Sequence, residues 1–317
     1  MPKQPSERVV IALGGNALLQ KGQEDTAEAA RTSARRAAEV VADISEQGWE
    51  VVVTHGNGPQ VGRILLQNER ASRVVPPMPL DICGAESQGQ IGYLLQAAIG
   101  DVFYERGMDR SVATVLTLTR VPPDDPAFGE PTKPIGPYYT EEEAGRLRRE
   151  RGYHVAPAPG DGGWRRVVPS PRPYSIVEAP VIRLLVADGV IVIAAGGGGV
   201  PVVEEGPRLV GVEAVVDKDL CAAILAKDVE ADALLILTNV DGVYESFGTP
   251  EQRLLSALSP EEAARRLDGG EFGAGSMKPK VEAATGFVEG GGKVAIIAAL
   301  EDGPRALAGQ AGTRIAN

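Results

Sequence analysis

A chain of 317 residues, 43% of them hydrophobic, can bury one large α/β core or two smaller ones. Its 32 Lys and Arg stand against 43 Asp and Glu, a net charge of −11, which leaves no broad basic surface for nucleic acid; any polyanionic partner must be small and locally held. Two cysteines, Cys83 and Cys221, in apolar surroundings and two histidines, His55 and His154, argue against a disulfide scaffold or a His/Cys metal site, and the polar start followed by a short apolar run at 9–13 falls far below the roughly 20 residues of a membrane span. The expectation is a soluble, cytoplasmic protein.

Residues 8–13 read as a strand and 26–46 as a helix. The helix carries Ala27, Ala30, Ala34, Ala37, Val41 and Ile44 at helical spacing for a sheet-facing stripe, and Gly48 as its stop. A strand at 50–54 and a helix after Pro59 follow. The later strand candidates, 112–118, 190–194, 233–238 and 294–298, are too apolar for strands with one wet face. Two helix starts are legible: Thr140 with Glu143 as a capping box, and Ser259-Pro260-Glu261-Glu262 with proline at the first helical position. This alternation predicts a parallel sheet covered by helices on its faces. Between 120 and 173 the rhythm breaks, with eleven prolines and one clear helix pattern at 140–151, which predicts a small subdomain rising from the sheet edge.

Glycine-rich turns follow three of the apolar runs: Gly14-Gly15-Asn16, Gly56-Asn57-Gly58-Pro59 and the run 196–199, which includes Gly197 and Gly198. Such turns let backbone N–H groups approach phosphate oxygens without a Cβ in the way. Three lysines stand in framed segments. Lys133 lies between Pro131 and Pro134, Lys218 within Val216-Asp217-Lys218-Asp219, and Lys280 just after Pro279 at a helix start. Asp217 is placed to cap a helix, putting Lys218 and Asp219 in its first turn, where free N–H groups favour an anion and a cation is explained best by a ligand. Taken singly, each lysine reads more simply as a solvated surface charge, and the two aspartates as ordinary N-terminal acids. Together they look like a phosphoryl-transfer site.

Two decoys fail. In the stretch 286–293, Phe287 stands where a Walker A loop needs glycine and Val294 where it needs Ser or Thr; the glycines at 56, 58 and 62 are misplaced for a dinucleotide fingerprint. His55 has no triad context and reads as a packed residue, and Cys83 as a buried one.

Read jointly, these segments resemble the carbamate kinases of the amino-acid kinase fold family. The stretches carrying the resemblance are 12–18, 54–62, 80–89, 125–128, 131–136, 168–171, 195–201, 216–220, 237–244 and 272–280, in order along nearly the whole chain. The resemblance implies a three-layer αβα sandwich around an open, mainly parallel sheet, one domain over 1–317 with the protruding subdomain 120–173 capping the carbamate side. It implies that Gly14, Gly15, Asn16, Gly56, Asn57 and Gly58 frame the transferred phosphoryl group and carbamate, with Gly197 and Gly198 lining the same cleft. Lys133, Lys218 and Lys280 match the catalytic lysines, and Asp219 the acid that orients two of them. Asn239, Val240, Asp241, Tyr244 and Met277, with Lys218 and Lys280, match the nucleotide side. Lys278 adds a charge to the pattern, and Asn239 and Gly242 occupy variable-looking places.

The implied reaction is reversible phosphoryl transfer between ATP and carbamate, forming ATP from ADP and carbamoyl phosphate in nitrogen catabolism such as that of arginine. Mg²⁺ would be held chiefly by nucleotide phosphates without a protein metal site, and the enzyme would be a cytoplasmic homodimer. Competing readings are a relative acting on another small carboxylate, phosphate or phosphonate, a nucleotide-binding regulator without catalysis, and a dinucleotide oxidoreductase.

Overall fold

The sequence Arg-Val-Val-Ile-Ala-Leu at Arg8–Leu13 forms β1, and every residue after Arg8 is buried on whichever side it faces. Only a strand covered on both faces accommodates such a run. The computed structural model describes residues 7–14, 26–158, 163–272 and 277–317. In it β1 sits inside an eight-stranded sheet with β2 (Glu50–His55), β3 (Val112–Thr114), β4 (Ile191–Ile193), β5 (Ala233–Thr238), β6 (Ala257–Leu258), β7 (Val294–Ala299) and β8 (Thr313–Ile315). The order is β6-β8-β7-β5-β1-β2-β4-β3, and every neighbouring pair is parallel except β7 with β8.

Alternate residues of the strands feed two cores. Val9, Ile11 and Leu13 pack under α1 (Ala27–Glu46) and α3 (Leu80–Glu105), while Val10 and Ala12 face α5 (Ala179–Ala187), α6 (Lys218–Asp228) and α8 (Met277–Glu289). Each fully buried Ile or Leu contributes about 1.5–3 kcal/mol of transfer free energy, so the two layers clamp the sheet from both sides. The stripe read for α1 holds for Ala34, Ala37, Val41 and Ile44, whereas Ala27 stays exposed in the first turn. Gly48 ends that helix at φ +95°.

The expectation for 112–118 is corrected. Val112–Thr114 is a half-exposed edge strand of the main sheet, and Leu118–Arg120 belongs to a second, four-stranded sheet. At the break the Gln88 side chain accepts from the Thr117 amide at 3.0 Å, in place of a main-chain partner, and donates at 3.1 Å to the Thr117 carbonyl, which also accepts from the Val200 amide at 2.9 Å. Helix α3 went unread in the sequence because Gly84, Gly89, Gly92 and Gly100 interrupt its pattern.

Within 120–173 the segments Lys133–Tyr139, Trp164–Val168 and Val155–Pro157 make a separate three-stranded antiparallel sheet, joined by α4 (Glu141–Arg151) with its Thr140/Glu143 capping box. Ile135 and Val168 of this sheet pack on Val61, Ile64 and Leu65 of α2 (Gly58–Ala71) and on Leu80 and Cys83 of α3. Among the described residues no helix is long and apolar enough to cross a membrane.

Candidate active site

In a parallel sheet the crevice for a ligand opens at the carboxyl ends of the strands, where helix N-termini and turn amides converge. Here the turns after β1, β2 and β4 are held to one another. The Gly14 amide donates to the Leu237 carbonyl of β5 at 2.9 Å, and a Cβ at Gly14 would lie only 3.0 Å from that oxygen. Gly15 and Asn16 lie outside the described residues. The Gly56 amide donates to Leu13 at 3.0 Å. Asn57 occupies the N-cap position of α2 but leaves the cap unmade; its amide donates instead to Ser87 Oγ of α3 at 2.8 Å, and Gly58 opens α2.

The turn after β4 runs through left-handed backbone at Ala195, Gly197, Gly198 and Gly199. A Cβ on Gly197 would stand 2.1 Å from Asn57 Nδ2, one on Gly196 2.4 Å from His55 Nε2, and one on Gly198 2.6 Å from the Val216 carbonyl. Glycine is required here because three neighbouring segments press on the same loop. His55 is wholly buried, and burial pushes its imidazole down to about 4, so it is neutral near pH 7, with Nδ1 beside the Gly56 carbonyl at 3.0 Å. It packs the cleft floor, as read from the sequence. Cys83 is also buried, and burial raises its thiol to about 11.

The three lysines arrive on separate elements and meet through two aspartates. Asp217 caps α6, its Oδ1 accepting from the Asp219 amide at 2.9 Å, while its Oδ2 accepts from Lys133 Nζ at 2.7 Å. Lys218, in the first turn of α6, pairs with Asp219 Oδ1, and Lys280, one turn into α8, donates to Asp219 Oδ2 at 3.1 Å. Asp219 and Lys280 are both buried. Burial opposes the charge on Asp217, but the Lys133 ammonium and the hydrogen bonds to the carboxylate outweigh it and hold the group below its ordinary value. Burial lowers Lys280, and Asp219 partly restores it. The sequence reading had Asp217 as a cap alone and passed over its grip on Lys133. Ser87, two turns into α3, lies in the resemblance stretch 80–89 but was given no role there, since nothing local marks it as the partner of Asn57.

Asn239, Val240 and Asp241 follow β5, with Asn239 and Asp241 exposed. Tyr244 is the middle residue of the first strand of the hairpin Val243–Glu245 and Arg253–Leu255, and its hydroxyl donates to Asp241 at 2.5 Å. Gly242 is fixed by space, since its Cβ would meet Thr313 Oγ1 at 2.7 Å. Met277 opens α8 three residues before Lys280 and packs against the core.

The model of the amino acid kinase family matches residues 7–299. The chain belongs to the amino acid kinase family. Within it, the chain is 50% identical to the carbamate kinase of Pyrococcus horikoshii over 311 residues, covering 98% of this chain and 99% of that protein. It is 52% identical to the carbamate kinase of Halobacterium salinarum over 309 residues, covering 96% and 97%. The structure of carbamate kinase from Giardia lamblia bound to AMP-PNP matches with a TM-score of 0.93 at 44% identity over 98% of each chain.

Proposed function

We propose that this amino acid kinase is a carbamate kinase that moves a phosphoryl group reversibly between ATP and carbamate, working toward ATP from ADP and carbamoyl phosphate in nitrogen catabolism. The observation that carries the reading is the convergence of Lys133, Lys218 and Lys280, from three remote stretches, on the linked pair Asp217 and Asp219. In the synthetic direction a carbamate oxygen attacks the γ-phosphorus, the bond to the β,γ-bridging oxygen breaks, and its electron pair leaves with ADP. The reverse step attacks carbamoyl phosphate with a β-phosphate oxygen and releases carbamate. No proton changes hands, so no base is needed and a neutral, buried His55 is no handicap.

Catalysis then rests on placement and charge. Lys218 and Lys280 neutralise the phosphates, Lys133 serves the carbamoyl phosphate side, and Asp219 keeps the first two apart and aimed. The turns 14–16, 56–58 and 197–198 frame the transferring group through donors other than the amides of Gly14, Gly56 and Gly198, which main-chain carbonyls already hold, and 239–244 with Met277 serve the nucleotide side. Mg²⁺ has no carboxylate cage to enter among the described residues, because Asp217 and Asp219 are engaged by lysines. It fits as the usual companion of nucleotide phosphates, where it would screen their charge. The three-stranded subdomain would cap the carbamate side, and a cytoplasmic homodimer is the proposed state.

The test is ATP formation from ADP and carbamoyl phosphate with Mg²⁺, with acetyl phosphate as competing donor and Lys218→Ala as control. Lys218-dependent ATP formation that prefers carbamoyl phosphate is the expected result. A folded, ADP-binding protein that forms no ATP would overturn the reading.

A further inference from the structure

Lys133 reaches the cleft from the small sheet, so its position depends on how that sheet is docked. In the ladder Lys133 lies opposite Val168 and Ile135 opposite Arg166. Cross-strand partners point to the same side, as do residues two apart, so these four side chains share one face. Ile135 and Val168 press that face onto α2 and α3, and the two cations stand at its ends.

Both cations are held by one short segment of the main body. Asp217 takes Lys133 at 2.7 Å, and Glu213, four residues earlier, takes Arg166 at 2.5 Å. Between them the Val215 amide donates to the Pro169 carbonyl at 3.0 Å, next to Val168. Arg166 is buried with its guanidinium 3.8 Å above the Tyr153 ring, which fixes its plane. The other oxygen of Glu213 accepts from the amide of Leu80 at 2.8 Å, at the N-terminus of α3, where no side-chain cap exists and the helix dipole favours an anion. Glu213 therefore ties the small sheet to the helix that also carries Ser87, the partner of Asn57.

We propose that Arg166 and Glu213 are positioning residues for Lys133, their ion pair seating the small sheet so that the lysine arrives at the reacting phosphate. This rests on the carbamate kinase reading for the role of Lys133. A displacement of about 1 Å at a reacting group costs about a hundredfold in rate, and loosening one corner of the joint is expected to cost about tenfold.

The experiment compares Glu213→Gln, which keeps the side chain's shape, and Arg166→Met, each alone and combined with Lys133→Ala. ATP formation gives kcat and KM for carbamoyl phosphate, and limited acetylation with acetic anhydride, read by peptide mass spectrometry, gives the reactivity of Lys133 against exposed Lys293. We expect Glu213→Gln to lower kcat/KM about tenfold, to lower it less than twofold when Lys133 is already alanine, and to raise Lys133 acetylation several-fold with Lys293 unchanged. Equal losses in both backgrounds with unchanged Lys133 acetylation would overturn the proposal, leaving the pair a purely structural contact. Wild-type protein that forms no ATP, with Lys133 acetylation still raised by Glu213→Gln, would remove the carbamate kinase reading and leave the mechanical coupling intact.

Discussion

Asp217 and Lys133 lie 84 residues apart in sequence and 2.7 Å apart in space, and the same carboxylate that caps α6 with one oxygen holds the lysine with the other. Asparagine caps a helix nearly as well as aspartate but offers no charge. Asp217→Asn should therefore keep its melting temperature close to that of the wild type while raising KM for carbamoyl phosphate and lowering turnover, in the manner of Lys133→Ala. The lysine's hold on this carboxylate is present above the ordinary aspartate range and is lost as pH falls through its lowered value. Steady-state kinetics beside thermal unfolding separates the two effects; a parallel fall in both would mean that the cap, not the charge, dominates.

Asp219 keeps two ammonium groups within one buried spot. Lys218→Ala and Lys280→Ala should each lower kcat by about a hundredfold to a thousandfold, the usual cost of removing one preorganised donor. Asp219→Asn should lower kcat with the fold intact, and it should also shift the alkaline limb of the pH–rate profile downward. Burial already lowers Lys280 and Asp219 opposes that, so removing the aspartate lets the lysine lose its proton at lower pH. An unmoved limb would show that Lys280 is not the group titrating.

Gly198 has φ +93° and would carry a Cβ 2.6 Å from a main-chain carbonyl. The carbonyl belongs to Val216, directly before the Asp217 cap, so it cannot swing away as a side chain could. Gly198→Ala should cost at least the roughly 1–3 kcal/mol of a strained backbone and displace the lysine cluster, visible as a lower urea midpoint together with a lower kcat. Gly206, with φ +59° and open space around its Cβ, is the comparison: Gly206→Ala should lose stability from backbone strain alone and keep full turnover.

His55 sets an acid limit on stability. Its ordinary value of 6.5 falls to about 4 in the folded protein, so between these values the unfolded chain binds the proton and the folded one does not. Stability is held above about 6.5 and drains away as pH falls toward 4, by about 3 kcal/mol in all. Urea unfolding at pH 7 and pH 4.5 should show a drop in wild type that is smaller in His55→Gln. An equal drop in both would assign the acid sensitivity to the carboxylates.

The strands β1, β5 and β7 were legible because a run such as Leu234 to Leu237 has no polar face to offer water, and the caps at Thr140, Asp217 and Ser259 because side-chain oxygen and helix start are neighbours in sequence. The break at Thr117 was not legible, since its partner Gln88 is 29 residues away. For the same reason Lys133 could be suspected but not paired: its partner is chosen by the docking of one sheet on another, which no local pattern encodes. Gly242 looked dispensable in one dimension and is hemmed in by Thr313 in three.

The lysine cluster sets three ammonium groups against two carboxylates inside a chain of net charge −11. An approaching nucleotide is thus repelled at long range and attracted only within about 8 Å, the distance over which physiological salt leaves charges visible. Added salt should then quicken the nucleotide's arrival while loosening its hold, so the association and dissociation rates should rise together with ionic strength. A phosphate site on a basic protein would do the reverse on the way in, and this one trades speed of capture in dilute salt for discrimination at the threshold.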